Sequence, residues 1–122
     1  MVNFCCEDMK NHIEYQCENH KDPFDCADHQ IYWDPIFDEY GLIIHDGGTS
    51  YNVIDYCPFC GKKLPASKRE LYFYILKTEY GKTLEQIFNR EVPEEFTFDE
   101  WWINRHLDNP KVLGKWRKKY NC

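Results

Sequence analysis

The chain has 122 residues, of which 43% are hydrophobic and 17% aromatic, so it can bury the core of one domain yet is small enough to gain from a metal staple. We therefore predict a single domain over residues 1–122, with a metal-binding α/β part at 1–65 and a helical part at 66–122. No apolar run approaches the roughly 20 residues of a membrane span. The first residues have neither the basic region nor the apolar core of a signal sequence, and we expect a cytoplasmic protein. In that compartment a content of seven cysteines indicates metal ligands rather than disulfides.

The formal net charge of −6 is unevenly distributed along the chain. Residues 1–60 carry twelve Asp and Glu against two Lys and Arg, a charge of −10, whereas residues 61–122 carry nine against thirteen, a charge of +4. The acidic half repels a phosphate backbone, and the basic end can attract one. Ordinary solvated helix and strand faces would give the same polarity.

The first predicted element is a helix over residues 6–17. Glu7 and Asp8 suit its first turn, because the helix dipole favours negative charge there. Apolar side chains recur at spacings of three and four residues, which places them on one face: Cys6, Met9, Ile13 and Cys17.

Three short strands follow and predict a small antiparallel sheet. Residues 40–45 and 50–56 are rich in β-branched and aromatic residues and flank Gly47-Gly48, which is a hairpin signal. A further strand is predicted at residues 30–33, before a turn at Pro35.

The segment Cys57-Pro58-Phe59-Cys60-Gly61 predicts a zinc-ribbon-type knuckle at the end of this sheet. Two thiolates three residues apart can reach one Zn²⁺ at about 2.3 Å each if the backbone curls under the metal. Gly61 permits the tight backbone just after the second ligand. A redox CxxC would begin a helix in a thioredoxin-like unit, and the surrounding pattern is not of that kind. Two unligated core thiols are the other alternative.

The rest of the chain is predicted to be helical, which makes the fold class α+β with an N-terminal helix and a helical C-terminal half. Gly81 ends the first of these helices, and Pro110 suits the first position of the last one. Trp101 and Trp102 are expected in the core and at its rim. Capping boxes are predicted at Ser67 with Glu70, Thr83 with Gln86 and Thr97 with Glu100.

A tetrahedral site at the knuckle requires two further ligands, and two sets are available. Cys17 and His20 would complete a ribbon of three cysteines and one histidine with Cys57 and Cys60. However, a helix over residues 6–17 would place Cys6 and Cys17 about 16 Å apart. That separation favours Cys5 and Cys6 at the knuckle, with Cys17, His20 and Cys26 as a second cluster. The ribbon remains open if the helix breaks, as do packing thiols at Cys17 and Cys26. The terminal thiol of Cys122 is expected to have no role.

Four motifs occur in one order: Cys5-Cys6, His45-Asp46-Gly47-Gly48, the knuckle, and Lys63-Leu64-Pro65-Ala66-Ser67. In this arrangement, residues 4–76 resemble a family of small bacterial proteins of unknown function. Phe59 and Ala27 stand where we associate the family with Trp and Pro. The resemblance implies a cytoplasmic, metal-binding bacterial protein and transfers no mechanism.

Binding of a protein partner with a basic surface is the function that the sequence favours. A zinc ribbon can act as a rigid platform, and acidic and aromatic residues together suit such a partner. We predict Trp33, Asp38, Glu39 and Tyr40 as contact residues. An immunity protein or antitoxin is one role of this kind, by analogy alone.

Two other functions remain open. Nucleic-acid binding is suggested by the cations that accompany Trp116 and Tyr120: Lys111, Lys115, Arg117, Lys118 and Lys119. A hydrolytic enzyme is suggested by His45 as general base. Neighbouring strand residues point to opposite faces, so Asp46 cannot orient His45, and turn chemistry is the simpler interpretation.

Overall fold

The computed structural model describes residues 4–120, which form two compact units. The first unit holds residues 4–34 and 39–66, and the second holds residues 35–38 and 67–120. The prediction on Cys122 lies outside the described residues. No helix in the described part of the chain is long and apolar enough to cross a membrane.

The first unit contains one helix and a three-stranded sheet, as predicted. Helix α1 spans Glu7–Ile13, and the strands are β1 (Ile31–Asp34), β2 (Glu39–Ile43) and β3 (Tyr51–Val53). The sheet is antiparallel in the order β1-β2-β3, with Ile31 opposite Leu42 and Gly41 opposite Val53.

The predicted helix over residues 6–17 is too long. Cys6 adopts extended backbone angles (φ −157°, ψ 166°) as the N-cap of α1, and its sulfur accepts the Met9 N–H at 3.4 Å. The helix ends at Ile13 with Glu14 as its C-cap, and Cys17 pairs with His20 in an isolated antiparallel bridge. A side chain that can bond a nearby backbone N–H favours a cap position over a helix interior, and this removes Cys6 from the predicted face.

The core of the first unit joins α1, the sheet and the knuckle. Its buried members are Met9, Ile31, Tyr40, Cys57 and Leu64. The first thiol of the knuckle is therefore part of the hydrophobic interior, so the position of Cys57 is fixed by packing as well as by its loop.

Gly41 is required by the packing of Tyr51 across the sheet. A Cβ at Gly41 would lie 2.1 Å from the Tyr51 ring, far inside contact distance. The ring's hydroxyl donates to Glu39 Oε1 at 2.7 Å and to Asp34 Oδ2 at 3.3 Å. Because Gly41 has no side chain, the Tyr51 ring can pack over β2 while its hydroxyl contacts two carboxylates.

The second unit is helical, as predicted. Its helices are α2 (Arg69–Glu79), α3 (Leu84–Phe88), α4 (Glu100–Ile103) and α5 (Pro110–Tyr120), with a short 3-10 helix at Glu94–Thr97. Gly81 follows α2 with φ +62°, and Pro110 is the first residue of α5.

One of the three predicted capping boxes is confirmed. Thr83 and Gln86 cap α3 reciprocally. The other two are wrong, because α2 is capped by Lys68 and α4 by Asp99, neither through its side chain. The Thr97 hydroxyl instead donates to the Glu94 carbonyl within the 3-10 helix.

Aromatic residues fill the core of the second unit. Phe96 and Trp101 are fully buried and stack with 5.6 Å between ring centroids. The Trp101 and Trp102 indoles donate to the carbonyls of Ile36 and Pro35 at 2.8 and 2.7 Å. Both tryptophans are buried, and their hydrogen bonds anchor residues 35–38 within this unit.

Candidate functional site

The knuckle is a tight loop closed by backbone hydrogen bonds. Cys57 N–H donates to Lys62 O and Gly61 N–H donates to Cys57 O, both at 2.9 Å, while Tyr56 and Lys63 form a bridge. Gly61 has φ +77°, a left-handed conformation that glycine adopts without a Cβ clash. The loop turns the N–H groups of Phe59 and Cys60 onto Cys57 Sγ, at 3.4 Å each.

Four thiols converge beside this loop: Cys5, Cys6, Cys57 and Cys60, whose sulfur atoms all lie within 4.8 Å of one another. The Cys6–Cys57 sulfur distance is 3.8 Å and the Cys5–Cys60 distance is 3.5 Å. Four sulfurs bound tetrahedrally at about 2.3 Å would be about 3.8 Å apart, whereas a disulfide requires about 2.05 Å. The described cysteines are free, so this group has the geometry to hold a metal ion.

Ionisation of the four thiols is unequal. Burial raises the pKa of Cys57, but the N–H groups of Cys60 and Phe59 and neighbouring thiols outweigh it and lower that pKa to about 7. Burial raises the pKa of Cys5 to about 12, assisted by hydrogen bonds to Cys57 and Cys60 and by the charge on Cys57. One thiolate therefore forms readily and opposes the others, until a cation offsets their repulsion.

A second group unites Cys17, His20 and Cys26, whose ligand atoms also lie within 4.8 Å of one another. Cys17 Sγ accepts the Asn19 N–H at 3.5 Å and lies 3.4 Å from His20 Nδ1. These two contacts, the Asn19 amide foremost, lower the pKa of Cys17 to about 7. Cys26 is buried, while His20 is exposed, so the group spans the boundary between core and solvent.

The predicted ligands lie in two separate groups, which is the arrangement that we favoured from the sequence. The structure places Cys5 and Cys6 at the knuckle, and it does not place Cys17 or His20 there. Metal binding at either group stays a prediction. His29 was not among the predicted ligands, although Cys26-x-x-His29 repeats the spacing of Cys17-x-x-His20.

The predicted partner-binding residues do not form an exposed surface, and this part of the prediction is wrong. Asp38 and Glu39 are each 3% exposed and Tyr40 is 2% exposed, while Trp33 is partly buried. Asp38 forms an ion pair with Lys68 at 2.5 Å, and Glu39 accepts from the Tyr51 hydroxyl. The number of acidic residues along the chain does not indicate that the Asp38 and Glu39 carboxylates are buried and bonded to other side chains.

The aromatic residues of the basic tail are engaged within the second unit. The Tyr120 ring stacks on those of Tyr74 and Trp116, each with 6.2 Å between centroids. The Arg117 guanidinium donates to the Ser67 carbonyl at 2.9 Å. Base stacking would have to compete with these contacts, although Lys115 remains exposed.

The side chains of His45 and Asp46 make separate contacts. Asp46 Oδ1 accepts the Gly48 N–H at 3.1 Å, which is the turn chemistry expected for this segment. His45 Nε2 donates to the His29 carbonyl at 3.0 Å. The Asp46 carboxylate is thus engaged by its own turn rather than by the His45 ring.

The chain belongs to the family defined by the domain of unknown function DUF6980, which matches residues 3–104. The matched range contains both groups of metal-type ligands and ends before α5. No curated protein and no solved structure matches the chain. Membership of this family agrees with the expected family of unknown function and brings no activity with it.

Proposed function

We propose that the protein binds zinc through Cys5, Cys6, Cys57 and Cys60, and that the metal holds the first unit as a platform for a protein partner. The observation that carries the proposal is the spacing of the four sulfurs, at distances suited to one tetrahedral ion. All four ligands come from the protein, as in a structural rather than a catalytic zinc site.

Zinc is favoured by the chemistry of the donors and by the expected compartment. Thiolates in a tetrahedral four-sulfur set select zinc or iron over hard cations such as magnesium. A cytoplasmic location, as the resemblance to small bacterial proteins implies, would keep the cysteines reduced and available. Ligands from the chain start and from the knuckle would then be joined by one ion.

The test is metal analysis of protein purified under reducing conditions. Cys60→Ser should remove the metal from this site and weaken the fold of the first unit. Cys122→Ser is the matched control, because the sequence predicts no role for this thiol, and it should leave the metal content unchanged. Cys60→Ser protein that keeps the wild-type metal content would refute the site.

A partner-binding role is supported by the surface around the knuckle. Tyr56 and Phe59 are 59% and 40% exposed, and Phe59 stacks on His12 of α1 at 4.5 Å. The first turn of the same helix presents Glu7 and Asp8 to solvent. We call Glu7, Asp8, Tyr56 and Phe59 the knuckle face. Exposed aromatics can anchor a contact and carboxylates can steer a basic partner.

Charge reversal tests the knuckle face. Glu7→Lys with Asp8→Lys should weaken retention of the partner in pull-downs from the native host, and added salt should weaken wild-type binding in the same direction. The control is Glu85→Lys with Glu91→Lys, which reverses two exposed charges in the second unit. An immunity protein or antitoxin would be identified by a basic toxin as the retained partner.

The nucleic-acid alternative has its own outcome in this experiment. If the protein retains mixed-sequence DNA or RNA, and Lys115→Glu with Lys118→Glu abolishes that retention while the knuckle-face variant does not, the basic tail is the functional surface. Equal binding of the partner by wild type and the knuckle-face variant would refute the knuckle face.

A further inference from the structure

The second group of ligands lies within a repeated sequence pattern. Cys17-x-x-His20 and Cys26-x-x-His29 have the same Cys-x-x-His spacing. Both segments form tight turns, since Cys17 bridges to His20 and the His29 N–H donates to the Cys26 carbonyl at 3.1 Å. Each turn therefore brings one thiol and one imidazole to the same region of the first unit.

Among the four residues of this pattern, His29 has a buried side-chain nitrogen for which packing provides no hydrogen-bond partner. Its side chain is 6% exposed, and its Nε2 has no hydrogen-bond partner in the part of the chain that the structure describes. A buried polar atom without a partner costs about 1–3 kcal/mol. His29 lines a cavity of about 170 Å³ together with Cys17, His20 and Cys26, so a ligand bound in this cavity would account for the unpartnered nitrogen.

We propose that Cys17, His20, Cys26 and His29 form a second metal site, selective for zinc-class ions, with His29 as the fourth ligand. The first three already cluster within 4.8 Å, and the His29 ring completes the set by turning within the cavity that they share. Two thiolates and two neutral imidazoles around a divalent ion give a site of zero net charge, which suits the buried Cys26 and His29. Binding releases the protons of the two thiols to solvent.

The local architecture gives this second ion a structural purpose. Residues 14–30 connect α1 to β1, and their only helical segment is the 3-10 turn at Pro23–Asp25. A long connection with so little secondary structure is uncommon in a compact domain. A metal that joins the two Cys-x-x-His turns would fix this connection, as staples do in other small folds.

Metal titration of the full chain with Co²⁺ and then Zn²⁺, under reducing conditions, tests the site. Wild type should bind two ions per chain, and His29→Ala should weaken one of them by at least about tenfold. Loss of a nitrogen ligand should also change the d–d absorption of cobalt at that site. His29→Gln and His20→Ala are second variants, the first retaining a polar group in the cavity and the second altering an exposed residue. His12→Ala is the control and should keep two ions.

The outcomes separate this proposal from the four-cysteine site at the knuckle. Unchanged affinity and cobalt spectrum in both His29 variants would overturn the second site. A single wild-type ion that Cys17→Ser leaves in place would overturn it as well. A single ion lost in Cys17→Ser but kept in Cys60→Ser would support the second site and refute the four-cysteine proposal.

Discussion

The two units differ in how much regular structure and apolar packing they contain. The first unit has a seven-residue helix and strands of three to five residues. The second contains two eleven-residue helices and a core built on Trp101, Phe96 and Tyr72. Short elements bury little surface, so the first unit has more to gain from metal ligation and the second can rely on hydrophobic burial.

Their buried polar groups show the same contrast. In the second unit the buried Lys68 ammonium is paired with Asp38 and lies 5.1 Å from the Trp102 ring centre. In the first unit the buried Cys57 belongs to a sulfur cluster, and His29 Nε2 lacks a partner among the described residues. The buried ammonium of the second unit is satisfied by protein groups, whereas in the first unit the four thiols have the geometry to hold a metal ion and a buried imidazole nitrogen lacks a protein partner among the described residues.

Removing the proposed zinc should give the largest effect and should affect the two units differently. Structural zinc can contribute about 10 kcal/mol or more of apparent binding energy to folding. Cys57→Ser, or a chelator, should therefore abolish hydrogen-exchange protection in β1–β3 while α2 and α5 keep theirs. Full protection of the sheet in metal-free protein would contradict the comparison. Loss of protection throughout would show that the units unfold together.

Breaking the buried ion pair should give the next largest effect and should leave the metal in place. Lys68→Met removes the cation that faces the buried Asp38 carboxylate, and a change of this kind costs about 3–5 kcal/mol. Urea unfolding measures the loss, and metal analysis should show wild-type content. Lys77→Met on exposed α2 surface is the control, with a change within about 0.5 kcal/mol. Equal stability of the two variants would show that the Lys68–Asp38 ion pair does not stabilise this unit.

Periodicity and turn chemistry predicted most of the fold because they act locally. The Thr83–Gln86 box, the Gly81 stop and the hairpin around Gly47 depend on residues close in sequence. The start of α1 was misplaced because a sulfur atom acts as its cap, a role usually taken by oxygen. Lys68 was missed because its partner lies 30 residues away, and no local pattern indicates that a lysine is buried.

Part of the candidate metal site could be predicted from the sequence for a different reason. The Cys57–Cys60 spacing by itself indicates a metal-binding loop. The predicted separation of Cys6 from Cys17 then favoured Cys6 as a ligand at this loop. The assumed helix was too long, yet Cys6 and Cys17 still belong to different groups. The contact surface failed because burial of Asp38 and Glu39 depends on contacts with Lys68 and Tyr51 that the sequence does not reveal.

A smaller effect is expected from adding a methyl group at Gly41. Gly41→Ala would drive a methyl group into the Tyr51 ring, and overpacking of this kind costs about 1–3 kcal/mol. Gly114→Ala is the matched control in the second unit, because its Cβ meets nothing within 4 Å and alanine favours a helix by about 1 kcal/mol. Thermal unfolding should rank Gly114→Ala above wild type and Gly41→Ala below it. Wild-type stability in Gly41→Ala would mean that Tyr51 can move without loss.

The smallest effect should come from the end of α5, where Tyr120 donates to Glu79 Oε2. Burial, followed by this hydrogen bond and the Glu79 charge, raises the Tyr120 pKa to about 12. The folded protein thus holds the phenol proton more tightly than the unfolded chain does, with its ordinary pKa near 10. This contribution is fully present below about pH 10 and is lost as pH rises through about 12.

Tyr120→Phe should lower stability at neutral pH by no more than about 1 kcal/mol, because the pair is near the surface. The difference from wild type should shrink as pH rises above about 10. Urea unfolding across that range measures it, and tyrosinate absorbance reports the ionisation. Glu79→Gln is the control, since it removes the charge that opposes ionisation and should lower the Tyr120 pKa. A Tyr120 titration that Glu79→Gln leaves unchanged would show that the contact does not hold the proton. The helix end would then depend on the stacking of Tyr120 with Tyr74 and Trp116.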